Sequence, residues 1–375
     1  MKSALKSTWL IILAAGLVQT ANGLETDILG VRAGLEGFSA FALGIIMASY
    51  YVGYSTGPLA SHGVVARVGH PRSIVLFTLV AALAIVLHGL EVTVIAWAVL
   101  RLISGFALAI VFIGFESWIN ARTENRVRGR VFSLYLVAQM SGMTLAQVLL
   151  NVGDPMALTL FVLSAAIFVV GTLPIIVARR KAPEKSPPVP FNIFALMRLS
   201  PMGAAATVLS GVSWAIVFTF GPVYAQRAGF SIAQISLYMG VAMVGGALLQ
   251  FPLGWLSDVI GRRATILIMS VGGVAASLFG IAMHAQVPLF QYLPFALIGA
   301  FVLPLYGLAA AHTNDFVHPE TRIAAAAGLV LLFGLGSIAG PLLVGSAIAM
   351  LGASGFFIVL AGVMGLSVAA TALPR

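Results

Sequence analysis

Three ionisable side chains stand inside long apolar runs: Glu25 and Asp27 in ANGLETDILG, and Arg101 in AVLRLISG. An ionised group at the centre of a bilayer costs about 2.5–3.5 kcal/mol even on lenient insertion scales, so its retention there points to function. A carboxylate facing an arginine can pair with it, or exchange a proton and let it go, which is the chemistry of a proton-linked switch. Arg101 lies about 14 Å into its run and Glu25 about 6 Å into its own, at 1.5 Å per residue. An extended arginine nearly closes that gap of about 8 Å. The competing reading leaves Glu25 and Asp27 among the outer headgroups.

Two further clusters stand out. GWLSDVIGRR, Gly254 to Arg263, gathers Asp258, Arg262 and Arg263 in a chain that is only 8% charged. HTNDFVHPE, His312 to Glu320, presents His312, Asp315, His318 and Glu320 as nominal metal ligands. Its place in a connection between apolar runs favours a loop over a metal centre. His62, His70, His88 and His284 are isolated at the ends of runs and read as interfacial polar residues.

Membrane helices must position these groups. The 375-residue chain is 60% hydrophobic, against about 45–50% apolar for soluble domains. Apolar runs recur at 8–29, 37–60, 73–90, 92–118, 130–151, 156–178, 202–222, 232–256, 264–284, 289–312, 323–348 and 354–372. Each approaches the roughly 20 residues needed to cross a hydrocarbon core. The opening MKSALKSTWLIILAAGLVQTANG has the form of a signal peptide but is read as a retained first span, since no secreted domain follows.

Of the 20 Lys and Arg, 17 fall on the side of the N-terminus, Arg32 and Arg227 on the other, and Arg101 within a span. The positive-inside rule then places both termini in the cytoplasm. A net charge of +9 distributed this way marks topology rather than nucleic-acid binding. The absence of cysteine excludes disulfides and thiolate chemistry. No lysine completes a phosphate loop, which argues against an ATP-driven pump.

The polar stretch ARRKAPEKSPPVPFN, Ala178 to Asn192, predicts a linker and the division 1–178, 179–201 and 202–375. Gly37-Phe38-Ser39 recurs as Gly229-Phe230-Ser231, and Gly69 as Gly261, both at an offset of 192. Thr144-Leu145-Ala146 meets Ser337-Ile338-Ala339 at 193, so a duplicated six-helix unit is expected.

Twelve spans in two halves, with GWLSDVIGRR between spans 8 and 9, resemble the major facilitator superfamily of secondary transporters along the whole chain. Gly254, Leu256, Asp258, Gly261, Arg262 and Arg263 match its loop signature, with Val259 in place of an arginine. In the first half, HGVVARVGHPR keeps Arg67 and Gly69 but has Ala66 where the aspartate belongs. Arg101 and Gly105 look like the family's R-x-x-x-G pattern, and FESWINARTENRVRGR, Phe115 to Arg130, is similar to the bacterial YcaD-like branch. Span 5, with SGMTLAQVLL, lacks the antiporter glycine–proline motif, whereas GSIAGPLLVG in span 11 resembles it.

This resemblance implies an all-α integral membrane protein of twelve transmembrane helices in two pseudo-symmetric six-helix bundles. It implies alternating access for a small organic solute with proton coupling, in a bacterial inner membrane, as a monomer without cofactor, metal, nucleic acid or enzymatic reaction. Gly254, Asp258, Gly261, Arg262 and Arg263, with Arg67 and Gly69, are then expected to latch the cytoplasmic ends, Glu116 being a second latch. Arg101 is expected to couple with Glu25 or Asp27. Gln19, Asn22, Ser213, Trp214, Gln291, Tyr292 and Tyr306 would face a central cavity, Gln147 adding to them. Topology anchoring for the loop, helix packing for the polar residues, and a passive facilitator or non-transporting sensor on the same fold stand as alternatives.

Overall fold

With no water in hydrocarbon to satisfy backbone N–H and C=O groups, an apolar chain of this kind closes its hydrogen bonds within helices. The computed structural model describes residues 2–123, 125–178, 193–283, 288–318 and 322–373. The helices are α1 (Lys2–Leu35), α2 (Ala40–Val68), α3 (His70–Leu90), α4 (Val94–Arg122), α5 (Asn125–Leu149), α6 (Thr159–Ala178), α7 (Ile193–Leu199) and α8 (Pro201–Arg227). They continue as α9 (Ile232–Ile260), α10 (Arg262–Met283), α11 (Pro288–Val302), α12 (Leu305–Asn314), α13 (Arg322–Leu351) and α14 (Gly355–Ala370). Among the described residues, nine helices are long and apolar enough to cross a membrane.

Several boundaries differ from expectation. The first run continues as helix to Leu35, so Glu25 and Asp27 lie well inside α1 instead of at its end. The run predicted at 289–312 is two helices, broken at Leu303 and Pro304, because proline cannot donate to the preceding turn. The tail of the predicted linker forms α7; residues 179–192 lie outside the described residues.

The signature hairpin is also tighter than a loop. Gly261 alone separates α9 from α10, at φ 89° and ψ 154°, and Gly69 alone separates α2 from α3, at φ 84° and ψ 159°. That left-handed backbone favours glycine. The hydroxyls of Ser73 and Thr265 donate to these two glycine carbonyls at 2.7 and 3.0 Å. Gly37 and Gly229 likewise share positive φ, 76° and 83°.

Contacts divide the chain into one unit of Met1–Leu35 with Ser49–Pro188 and another of Glu36–Ala48 with Val189–Arg375. In the first, α1 packs on α5 and α6, and α3 on α4 and α6. In the second, α8 packs on α13, α9 on α11 and α10 on α14. Close crossings recur: Gly53 lies against the Leu102 carbonyl and Gly105 against that of Tyr50, as Gly245 does against Ala296 and Gly299 against Ala242. Small residues let membrane helices meet backbone to backbone. Gly53 and Gly245 are 192 residues apart and Gly105 and Gly299 are 194, close to the offset of the sequence repeat.

Candidate functional site

The first unit closes over a charged cluster. Glu25 of α1 and Arg101 of α4 are 0% and 1% exposed, with Oε1 and Nη1 3.4 Å apart. The arginine is shaped by its surroundings: its guanidinium lies 4.2 Å above the centre of the Tyr50 ring, and Nη2 donates to Thr26 Oγ1 at 3.4 Å. Neither Glu25 oxygen has a hydrogen-bond partner among the described residues. The carboxylate is thus held by charge across a loose contact.

His88 completes the group. It is fully buried, with Nδ1 3.9 Å from Glu25 Oε1, and its reading as an interfacial residue is corrected. Nδ1 lies 2.8 Å from the Ala84 carbonyl, which can only accept, so Nδ1 carries the hydrogen. Trp97 Nε1 donates to the His88 carbonyl at 3.1 Å, and the two rings meet edge-on at 6.0 Å. The short link from Leu90 to Val94 makes α3 and α4 antiparallel neighbours, which sets His88 beside Trp97 and one turn from Arg101. That link is the signal in the sequence that points to His88.

Asp27 faces elsewhere. Two residues on a helix are about 200° apart, so when Glu25 meets α4, Asp27 meets α5, where its Oδ2 accepts from Gln147 Nε2 at 2.7 Å. Glu116, expected beside the arginines that follow it, accepts from Tyr135 at 3.4 Å. The side chains of Arg126 and Arg128 lie outside the described residues.

At the α9–α10 break, Asp258 Oδ1 is 2.9 Å from Arg262 Nη1, and Arg262 Nε is 3.6 Å from Asp315 Oδ2 beyond α12. Arg262 also donates to Ser257 at 2.8 Å. The position equivalent to Arg262 is His70, at the start of α3, whose Nε2 is 2.9 Å from Ser117 Oγ on α4. Arg67 and Arg263 are exposed, and Gly254 is half-buried.

The remaining expected cavity residues are dispersed. Gln19 and Asn22 are buried on α1. Ser213 donates to Met364 Sδ at 3.6 Å, a packing contact between α8 and α14. Trp214 lies tilted against Phe218 and edge-on to Phe333, and Tyr306 meets Phe333 edge-on. The Tyr292 hydroxyl donates to the Gln234 carbonyl at 3.5 Å, and the Gln291 side chain lies outside the described residues. His312, Asp315 and His318 form no metal-holding group among the described residues, and Glu320 is outside them.

The sequence matches the family described as Major Facilitator Superfamily over residues 7–246 and 203–375. An Escherichia coli protein described as an uncharacterized MFS-type transporter, YcaD, is 26% identical over 308 residues, 82% of this chain and 79% of that one. The Shigella flexneri protein of that name aligns to the same extent. A mutant form of the nucleoside transporter NupG superposes with TM-score 0.82 at 15% identity, covering 98% of this chain and 99% of that one. A bacterial homolog of the human lysosomal transporter Spinster, inward-facing and unoccupied, gives 0.75 at 15% identity over 98% and 95%. At these identities the solved structures bear on fold alone.

Proposed function

The chain belongs to the Major Facilitator Superfamily and is a multi-pass membrane transporter rather than an enzyme, and from that premise we propose that it moves a small organic solute by proton-coupled alternating access. The observation that carries this reading is the buried Glu25–Arg101 pair at 3.4 Å, whose carboxylate lacks hydrogen bonds among the described residues. Such a pair can be opened by a proton on Glu25, leaving Arg101 to the face of Tyr50 and to substrate. Glu25 is assigned the coupling role and Asp27 a structural one with Gln147. The bias of 17 against 2 in flanking Lys and Arg supports cytoplasmic termini in a bacterial inner membrane.

The test begins with a thermal screen of the purified protein against small metabolites. A ligand at 100 times its Kd adds about 2.7 kcal/mol of stability. Flux of the hit into reconstituted vesicles is then measured under an imposed pH gradient. Wild type and Asp27→Asn should respond to the gradient, and Glu25→Gln should not. Wild-type flux insensitive to both the gradient and the membrane potential overturns the coupling reading in favour of a facilitator.

The Asp258–Arg262–Asp315 chain is assigned the latch role. Asp258 is 68% exposed, and pairs of that kind contribute about 0–1 kcal/mol. Asp258→Asn should therefore melt close to wild type yet transport several-fold more slowly, with accessibility labelling showing a changed balance of states. An unchanged rate and balance reduces the turn to a topology anchor.

A further inference from the structure

The seven residues of α7, IFALMRL, are apolar except for Arg198. A helix apolar on all sides belongs in an interior or in lipid, and the chain buries only one side of this one. Leu196 is 5% exposed and joins a core cluster with Ala204 of α8 and Ala325, Leu329 and Leu332 of α13. At about 100° per residue, Phe194 lies across the helix from Leu196, and Met197 and Arg198 share with Phe194 an arc of about 100°. That arc faces outward: Phe194 is 70% exposed and Met197 43%, and Arg198 is exposed as well.

The place of α7 along its neighbours indicates what meets that arc. α8 and α13 are 27 and 30 residues long, about 40 and 45 Å, which matches a bilayer of about 40–45 Å with its headgroups. Ala204 and Ala325 each stand three residues after the first residue of their helix, so α7 packs about 5 Å inside that level. Helices bound at a membrane surface set their apolar faces about 5–10 Å into the boundary of headgroups and acyl chains. The charge agrees with this depth. Between 179 and 192 the sequence has Arg179, Arg180, Lys181 and Lys185 against one acid, Glu184, and basic groups beside a bilayer are drawn to anionic headgroups.

We propose that α7 is an interfacial anchor that docks on an anionic lipid surface, on the side that the Lys/Arg bias marks as cytoplasmic. Phe194 and Met197 enter the boundary of headgroups and acyl chains, and Arg198 extends from the same face to the lipid phosphates. Leu196, on the opposite side, ties the helix to α8 and α13. The headgroups thereby gain a hold on two helices of the second unit. The anchor is separate from the Glu25–Arg101 pair and needs no transported substrate.

The chain contains no cysteine, so a single introduced cysteine carries a nitroxide without background. Phe194→Cys and Met197→Cys are labelled in the full-length protein, one copy per nanodisc, in phosphatidylcholine with and without phosphatidylglycerol. Leu83→Cys, at a position of α3 that is 60% exposed within a span, is the lipid reference. Glu91→Cys, exposed in the link after α3, is the water reference. Labels at 194 and 197 should collide with a water-soluble nickel chelate several-fold less often than the label at 91, and with oxygen nearly as often as the label at 83. Removing phosphatidylglycerol should shift both toward the water reference, and Arg198→Gln should abolish that shift. Nickel access at 194 and 197 equal to that at 91 overturns the proposal. Low access to both nickel and oxygen, with an immobilised spectrum, also overturns it by showing a protein cover, and spin–spin broadening in discs with two copies would identify a second chain as that cover. A depth indifferent to phosphatidylglycerol overturns the anionic-lipid assignment.

Discussion

Replacing Arg101 with methionine is expected to lower stability by about 3–5 kcal/mol, the cost of leaving one member of a buried ion pair uncompensated. Methionine keeps much of the bulk and removes the charge, while Glu25 stays 0% exposed with no hydrogen bond among the described residues. His88 Nδ1, at 3.9 Å, already gives its hydrogen to Ala84 and is a poor substitute. Adding Glu25→Gln to Arg101→Met should restore most of the loss, because a neutral pair in a buried site is often as stable as the ionic one. Transport against a gradient should fail in the single and the double variant alike. Melting curves of the four proteins form a double-mutant cycle, and additivity within about 0.5 kcal/mol would show that the two side chains do not interact.

Gly105→Leu should be at least as damaging, for a reason unrelated to charge. Even a Cβ at Gly105 meets the carbonyl, carbonyl carbon and Cα of Tyr50. Backbone cannot swing aside as a side-chain tip can, so α2 and α4 must separate. Overpacking typically costs about 1–3 kcal/mol, and a leucine at this crossing belongs at or above the top of that range. Separation also draws the Tyr50 ring from Arg101, now 4.2 Å away. Little monodisperse protein should be recovered from membranes, whereas Gly63→Ala on the same α2, where no atom lies within 4 Å, should be tolerated or gain about 0.5–1 kcal/mol. Equal recovery of the two variants would contradict the crossing.

How far the residues alone disclose this architecture follows from how strongly lipid constrains a chain. Apolar length and the Lys/Arg bias depend on composition over 20 residues, which boundaries hardly disturb. Gly69 and Gly261 are legible because their backbone tolerates little else. Rotational detail is not. Helices apolar nearly all round carry no stripe to say which side faces which neighbour, so Glu25 and Asp27 are equivalent as letters although about 200° of helix separates them. His88 resembles a boundary residue because it ends an apolar run, whereas the tight α3–α4 connection folds it inward. Glu116 accepts from Tyr135 on α5, a contact between helices that its place in the sequence does not announce.

Biosynthesis meets the ion pair one member at a time. Glu25 is made 76 residues before Arg101, and at about 5–20 residues per second the ribosome needs about 4–15 s to supply the partner. Throughout that interval α1 carries an acid that the bilayer disfavours when charged and whose arginine partner, among the described residues, is on α4. Until three more spans have been synthesised, Glu25 is expected to stay protonated or in contact with water. Both members of the pair are on hand before any of the second half has been made.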